Sequence, residues 1–208
     1  MPDNIYDFNT FFKGINMIYL VRHGESEANI QKRYSGITNV NLSLKGQMQA
    51  KLAGHNLKTE KISYIYSSPL NRTKETAKII SKEINFRESK IIIEDSLIEV
   101  NFGLFENKTW DELIISHKEE TEKWILEKHR YKFPEGEGYE DIINRISDFI
   151  DNVPDNSLIV THFGVIQSIL LYLEIANDEN LWEFVISNCD ILVLNNNKLE
   201  RIIKNNEK

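Results

Sequence analysis

The stretch Met17–Glu25 reads MIYLVRHGE, an apolar run that leads directly into Arg22, His23 and Gly24. Five consecutive apolar residues are typical of a strand buried on both faces, as in the parallel sheet of an α/β protein. The polar residues suit phosphate chemistry, because a neutral imidazole can attack phosphorus and a guanidinium can bind two phosphate oxygens. The alternative for this motif alone is a surface turn that carries a solvated Arg and His.

Strand and helix patterns alternate along the rest of the chain, which predicts a three-layer α/β/α sandwich around a mostly parallel sheet. Loops at the carboxyl ends of such strands are the expected place for a functional site. The predicted strands are Met17–Val21, Ile62–Tyr66, Lys90–Glu94, Leu158–Thr161 and a closing hairpin of Asp190–Leu194 and Leu199–Ile203. The predicted helices are Ser43–Leu57, Ser68–Ile84, Trp110–His117, Glu119–His129, Tyr139–Asn152 and Val165–Leu173.

Two of these helices carry more detailed signals at their starts. Ser43 is a candidate N-cap, and Leu44, Met48 and Leu52 lie on one side of the helix that follows. The dipeptide Ser68-Pro69 predicts an N-cap followed by proline at the first helical position.

Composition limits the class of protein. The chain has 208 residues and a net charge of -7, with no cluster of basic residues and no apolar run of membrane-spanning length. We therefore expect no nucleic-acid or membrane partner. The oligomeric state, monomer or homodimer, is left open by the sequence. A lone cysteine, Cys189, excludes an internal disulfide and suits the reducing cytoplasm. Residues 1–16 lack the features of a secretory signal and are predicted to be an N-terminal extension, with one domain over residues 17–208.

A second strand that ends in histidine and glycine lies at Val160–Gly164, which reads VTHFG. His162 would reach the same edge of the sheet as His23 and could stabilise a transferred phosphate as a cation. The alternative is a histidine that caps the helix after it.

Together these motifs resemble the histidine phosphatase superfamily, the phosphoglycerate mutase-like group that includes acid phosphatases with Arg-His-Gly. The resemblance covers about Met17 to Leu194. Within the family, the short chain and its Phe-Gly-x-Phe-Glu segment look most like bacterial broad-specificity and α-ribazole phosphatases. It implies a nucleophilic His23, a proton-donating Glu99 and a phosphate site. The residues that it implies for phosphate binding are Arg22, Asn29, Ser35, Gly36, Arg72 and His162.

The resemblance implies hydrolysis of a small phosphate ester through a phosphohistidine on His23, with no metal and no cofactor. Glu99 would protonate the leaving alcohol, which requires a raised pKa. Cofactor-dependent phosphoglycerate mutase is one alternative, although those mutases carry an inserted segment that is missing between Gly103 and His162. A catalytically inactive module that binds a phosphorylated ligand is another.

The chain departs from the family pattern in two places. Phe105-Glu106-Asn107 stands where many relatives have Trp-Glu-Gly, and Gly138 stands where many phosphatases have Ser after Pro-x-Gly-Glu. Both substitutions lie in the region that covers the substrate, so they affect the expected recognition of the leaving group and not the transfer of phosphate.

Overall fold

A six-stranded mixed sheet forms the centre of the computed structural model, which describes residues 17–205. The strand order is β3-β2-β4-β1-β5-β6. The first four strands in this order run parallel to one another. Strand β5 is antiparallel to β1, and β6 is antiparallel to β5. The strands are β1 (Met17–Arg22), β2 (Tyr64–Ser67), β3 (Ile91–Ile93), β4 (Ser157–Thr161), β5 (Ile191–Asn195) and β6 (Lys198–Ile203).

Helices cover both faces of this sheet. They are α1 (Glu27–Ile30), α2 (Leu44–Asn56), α3 (Asn71–Glu83), α4 (Trp110–Ser116), α5 (Lys118–Glu127), α6 (Tyr139–Asn152) and α7 (Phe163–Tyr172). Short 3-10 turns lie at Glu88–Lys90, Asp95–Leu97, Gly103–Phe105, Lys128–Arg130 and Leu181–Glu183. The predicted α/β/α sandwich with its closing hairpin is confirmed.

Alternate residues of β1 enter two separate hydrophobic cores, because successive side chains of a strand point to opposite faces. Ile18 and Leu20 are buried with α6 and α7, whereas Tyr19 and Val21 are buried with α2 and α3. Both faces of the strand are therefore apolar, which explains the unbroken run MIYLV and the central position of β1 between β4 and β5.

Leu44 and Met48 share a side of α2, but this side is not the buried one. Leu44 and Met48 are 80% and 62% exposed, and the helix instead buries small residues, among them Ala50 and Ala53. These small side chains allow the backbone of α2 to approach α3 closely, which large apolar side chains would prevent. Ser43 is confirmed as the N-cap, since its hydroxyl accepts a hydrogen bond from the Gly46 amide at 2.9 Å.

The start of α3 also differs from the prediction. The helix begins at Asn71, with Leu70 at the N-cap position, so Ser68 and Pro69 lie in the loop before it. A short helix that the sequence analysis did not predict, α1, follows β1; its N-cap Ser26 and Asn29 form reciprocal hydrogen bonds.

Two predictions about the chain's ends lie outside residues 17–205. The structure describes neither the proposed extension, residues 1–16, nor residues 206–208 of the predicted domain. Within the described range, no helix has the length and apolar character needed to cross a membrane.

Candidate active site

His23 follows the last residue of β1, and its position is fixed by both backbone and side chain. Its amide donates to the Thr161 carbonyl at 3.0 Å, which ties it to the end of β4. Its Nδ1 lies 2.7 Å from the Gly24 carbonyl oxygen. A carbonyl can only accept, so Nδ1 carries the proton and the lone pair is on Nε2. Burial, reinforced by Arg72 and Arg22, holds the pKa of His23 well below its usual value, which keeps the imidazole neutral.

His162 follows β4 and lies beside His23, with ring centroids 5.2 Å apart and ring planes at 63°. Its side chain is fully buried, and its Nε2 lies 2.8 Å from the Ser68 hydroxyl at the end of β2. Its Nδ1 is buried without a hydrogen-bond partner among residues 17–205. The ends of three neighbouring strands therefore deliver His23, His162 and Ser68 to one place.

The expected positive charge on His162 disagrees with the structure. Burial, followed by the neighbouring cation Arg72, holds the pKa of His162 well below its usual value. Its surroundings therefore favour the neutral imidazole. A neutral His162 still donates from Nδ1 when Ser68 donates to Nε2, so it can offer one hydrogen bond to an anion.

Two arginines supply the positive charge of the site. Arg22 is at the end of β1, and its Nη1 donates to the Ile186 carbonyl at 2.7 Å, while its buried Nε has no partner within the described residues. Arg72, in the first turn of α3, is 1% exposed. It donates to the carbonyl oxygens of Ser35, Gly36 and Thr38 at 2.7–3.0 Å. These bonds leave its Nε–H and one Nη1–H for a ligand.

Glu99 lies in the loop after β3 and is buried beside the two arginines. Its carboxylate accepts hydrogen bonds from the amides of Val100 at 2.9 Å and Gly164 at 3.3 Å. Burial raises its pKa above the usual value, against the lowering effect of these hydrogen bonds and of the arginines. A carboxyl group with a raised pKa stays protonated to higher pH and can donate a proton there.

The first loop places the other residues predicted to bind phosphate. The Asn29 Oδ1 accepts from the Ser26 amide at 3.0 Å, which leaves the amide nitrogen of the side chain as the free donor. Ser35 lines the same cleft as His23 and Asn29. The Gly36 amide donates to the Glu106 carboxylate at 3.0 Å, so in this conformation it is not available to a ligand. The roles of these residues in binding phosphate stay predictions.

The site opens into a cleft of about 500 Å³. Arg22, His23 and Glu99 line it together with aromatic side chains, which are Tyr34, Phe102, Trp124, Phe133, Tyr139, Phe163 and Trp182. Such a volume and an apolar wall with a few polar groups are typical of small-molecule sites. Within residues 17–205, no cluster of three or more His, Cys, Asp or Glu side chains could hold a metal ion.

Three residues that support the site were not assigned these roles from the sequence. Ser68 bonds to His162, although its sequence context indicates a helix cap. Arg145 of α6 holds the loop that carries Glu99 by donating to the carbonyl oxygens of Ser96 and Ile98. Glu106 holds the first loop by accepting hydrogen bonds from Gly36, Ile37 and Thr38. Ser68 and Glu106 both lie in motifs noted from the sequence, whereas Arg145 lies in none.

Comparisons with known proteins agree with this geometry. Residues 18–205 match the Histidine phosphatase superfamily (branch 1). Phosphoserine phosphatase 1 of Hydrogenobacter thermophilus is 30% identical over 191 residues, which is 89% of each chain. Human 6-phosphofructo-2-kinase/fructose-2,6-bisphosphatase 1 is 32% identical over 167 residues, which is 78% of this chain and 34% of the human protein.

A solved structure gives the same result. The α-ribazole phosphatase of Shigella flexneri superposes with a TM-score of 0.75 and 25% sequence identity, over 88% of this chain and 93% of that one. Fold, strand-end histidines and relatives lead to one conclusion: this chain is a histidine phosphatase, a phosphoric monoester hydrolase, and belongs to branch 1 of the histidine phosphatase superfamily.

Proposed function

We propose that the protein hydrolyses small phosphate monoesters in two steps, with a phosphohistidine on His23 between them. The observation that carries this proposal is the hydrogen bond between Nδ1 of His23 and the Gly24 carbonyl. It holds the imidazole in the tautomer whose Nε2 lone pair can attack, and the low pKa of His23 keeps that lone pair unprotonated.

In the first step, Nε2 of His23 attacks phosphorus, a P–N bond forms and the bond from phosphorus to the ester oxygen breaks. The proton of the Glu99 carboxyl group passes to that oxygen, so the alcohol leaves neutral. Arg22, Arg72 and the Nδ1–H of His162 would bind the phosphate oxygens. Phosphoryl transfer requires mainly this positioning and charge stabilisation.

In the second step, water attacks the phosphohistidine and the P–N bond breaks. Glu99, now a carboxylate, accepts a proton from the water, which restores its starting form while phosphate leaves. The burial of Glu99 supports this double role, because a raised pKa keeps its carboxyl group protonated to higher pH and makes its carboxylate a better proton acceptor.

Two other functions remain as alternatives. A phosphoglycerate mutase would use the same phosphohistidine but return the phosphate to a second hydroxyl of its substrate. An inactive binding module would keep the phosphate site without turnover. The complete set of two imidazoles, two guanidiniums and a buried carboxyl group favours an active enzyme, and the name of the Hydrogenobacter relative favours a phosphatase.

The proposal is tested by trapping the intermediate. The wild type is mixed with a radiolabelled phosphomonoester, quenched and examined for protein-bound label that is stable in base and labile in acid. We expect label on the wild type and none on His23→Ala, whereas His55→Ala, which removes an exposed imidazole of α2, should label normally. Turnover that persists in His23→Ala would exclude the mechanism.

The other functions and the absence of a metal are tested with the same preparation. A panel of phosphomonoesters is assayed with EDTA, beside an assay for mutase activity. We expect phosphate release that EDTA does not reduce. Transfer of phosphate between the hydroxyl groups of phosphoglycerate, without release of free phosphate, would instead identify a mutase. Binding of a phosphomonoester without turnover would identify an inactive module.

A further inference from the structure

Lys32 lines the same cleft as His23 and Glu99, yet no described residue partners its ammonium group. The other cations of the site have partners. Arg22 and Arg72 are held beside the nucleophile by backbone carbonyl oxygens and keep N–H groups for the transferred phosphate, and Arg33 is bound to Glu112 and to the Asn107 carbonyl. Among the cations that line the cleft within the described range, Lys32 is the one whose side chain has no hydrogen-bond or ion-pair partner.

The turn that carries Lys32 is fixed on both sides. The Lys32 amide donates to the Asn29 carbonyl at 3.1 Å, and the next amide, that of Arg33, donates to Ala28 at 2.9 Å. The Arg33 guanidinium then ties the turn to α4 through Glu112 at 2.9 Å. The backbone of Lys32 is thus held, while its long side chain is free to reach a ligand in the cleft.

The cleft is lined by positive charge, although the protein as a whole is negatively charged. The chain carries a net charge of -7, but the cleft lining contains Arg22, Lys32 and Arg33 against a single carboxyl group, that of Glu99. Three cations against one carboxyl group make the cleft locally positive whether or not Glu99 is ionised. Arg22 and Arg72 are the cations placed to bind the transferred phosphate. The ammonium group of Lys32 is therefore available for a different anionic group of the substrate.

We propose that Lys32 binds a second negatively charged group on the alcohol portion of the substrate. This inference rests on the proposed phosphatase function and specifies its substrate class, namely phosphomonoesters whose alcohol also carries a carboxylate or another phosphate. An ammonium group acts as a point charge and recognises either anion.

A pair of substrates isolates this contact. 3-Phosphoglycerate and glycerol 3-phosphate differ by a carboxylate in place of a hydroxymethyl group, so both present the same phosphate ester. We expect the wild type to prefer 3-phosphoglycerate. Lys32→Asn should raise the KM for 3-phosphoglycerate about tenfold, the size expected for one charged hydrogen bond, and leave glycerol 3-phosphate unchanged.

The choice of variants separates recognition from folding. Lys32 has a φ of 54°, a left-handed conformation in which Asn is better tolerated than Lys, so Lys32→Asn should not disturb the turn. Lys32→Arg keeps the charge and should keep the preference for 3-phosphoglycerate. Lys51→Asn removes the same charge from the exposed face of α2 and should change neither KM.

The outcomes distinguish this inference from the function on which it rests. Equal changes for both substrates in Lys32→Asn, an unchanged KM for 3-phosphoglycerate, or the same effect in Lys51→Asn would overturn the role of Lys32. If the wild type hydrolyses p-nitrophenyl phosphate but prefers glycerol 3-phosphate, the inference fails and the phosphatase stands. If it hydrolyses no ester at all, both fail.

Discussion

The Ser68 hydroxyl lies 2.8 Å from Nε2 of His162, and both side chains are fully buried. A hydroxyl that donates to Nε2 places the imidazole proton on Nδ1, the atom that has no partner within residues 17–205. Ser68 thus sets which nitrogen of a neutral His162 can donate to a phosphate oxygen. It acts through His162 and is a positioning residue.

Replacing Ser68 tests this role. We expect Ser68→Ala to lower kcat about tenfold with little change in KM, because the phosphate loses an oriented donor in the transition state. It should also cost about 1–3 kcal/mol of unfolding free energy, since Nε2 becomes unsatisfied. Steady-state kinetics and urea denaturation measure both effects.

Ser67→Ala is the matched control for Ser68. The Ser67 hydroxyl is equally buried but donates to a backbone carbonyl, that of Ser68, at 2.9 Å. This control should lose stability without a tenfold loss of kcat. Equal losses of kcat in the two variants would show that Ser68 has only a structural role.

Glu99→Gln tests proton donation. We expect kcat for an alkyl phosphate to fall about hundredfold, while p-nitrophenyl phosphate, whose phenolate leaves without a proton, is much less affected. In the wild type, the rate with alkyl esters should fall as pH rises through the raised pKa of Glu99, because the acid form is then lost. The pH profile of the variant should lack this fall, whereas Glu140→Gln, an exposed change on α6, should retain it.

The low pKa of His162 predicts how stability depends on pH. Below about pH 6.5 this imidazole is protonated in the unfolded chain but stays neutral in the folded protein. As pH decreases, the unfolding free energy therefore falls by up to about 1.4 kcal/mol per pH unit. The loss begins at the unfolded pKa and continues down to the folded pKa. His162→Asn should therefore lose less stability than the wild type between about pH 7 and pH 5.5.

Urea denaturation at both pH values measures this difference for His162. The wild type and the variant share every other titrating group, so subtracting their free energies removes the opposite contribution of Glu99. The same loss in both proteins would show that His162 titrates normally. His55→Asn, which removes an exposed imidazole, serves as the control for the substitution itself.

Glu106 is predicted to hold the first loop in place. Its carboxylate accepts from the amides of Gly36, Ile37 and Phe102 and from the Thr38 hydroxyl, at 2.6–3.2 Å. Glu106→Ala leaves these donors without their acceptor and loosens the carbonyl groups that Arg72 binds. We expect a loss of about 1–3 kcal/mol in unfolding free energy and a raised KM.

Glu112→Ala is the comparison for Glu106. Glu112 pairs with Arg33 at 2.9 Å in a largely solvent-exposed position, where such pairs contribute about 0–1 kcal/mol. Glu112 also accepts a hydrogen bond from the Thr109 amide at 2.8 Å at the start of α4, so its removal should cost about 1 kcal/mol, less than the loss expected for Glu106→Ala. A loss for Glu106→Ala no larger than that for Glu112→Ala would contradict the proposed loop anchor.

The sequence predicted the sheet and the convergence of strand-end residues because these depend on local patterns. A five-residue apolar run predicts a doubly buried strand whatever its partners, and β1 is such a strand. The exposed side of α2 was missed because periodicity shows that Leu44 and Met48 share a side, but not that small residues face α3. That choice depends on how closely two helices approach.

The site was predicted less completely than the fold. Residue types identify an imidazole, a guanidinium or a carboxyl group, but not its neighbours in space. His162 was expected to be a cation because its burial beside Arg72 is a tertiary property. Ser68 and Arg145 were missed for the same reason, since their partners lie 94 and 46–49 residues away along the chain.

The close packing of α2 extends to the nucleophile itself. A methyl group added to Gly24 would lie 2.4 Å from the Gly46 carbonyl oxygen, and one added to Gly46 would lie 2.0 Å from that of Glu25. Two main-chain segments therefore touch where no side chain can intervene, directly behind His23. Tolerance to mutation should consequently be low at a pair of positions that contribute no functional group, and an alanine scan of the reactive side chains alone would overlook them.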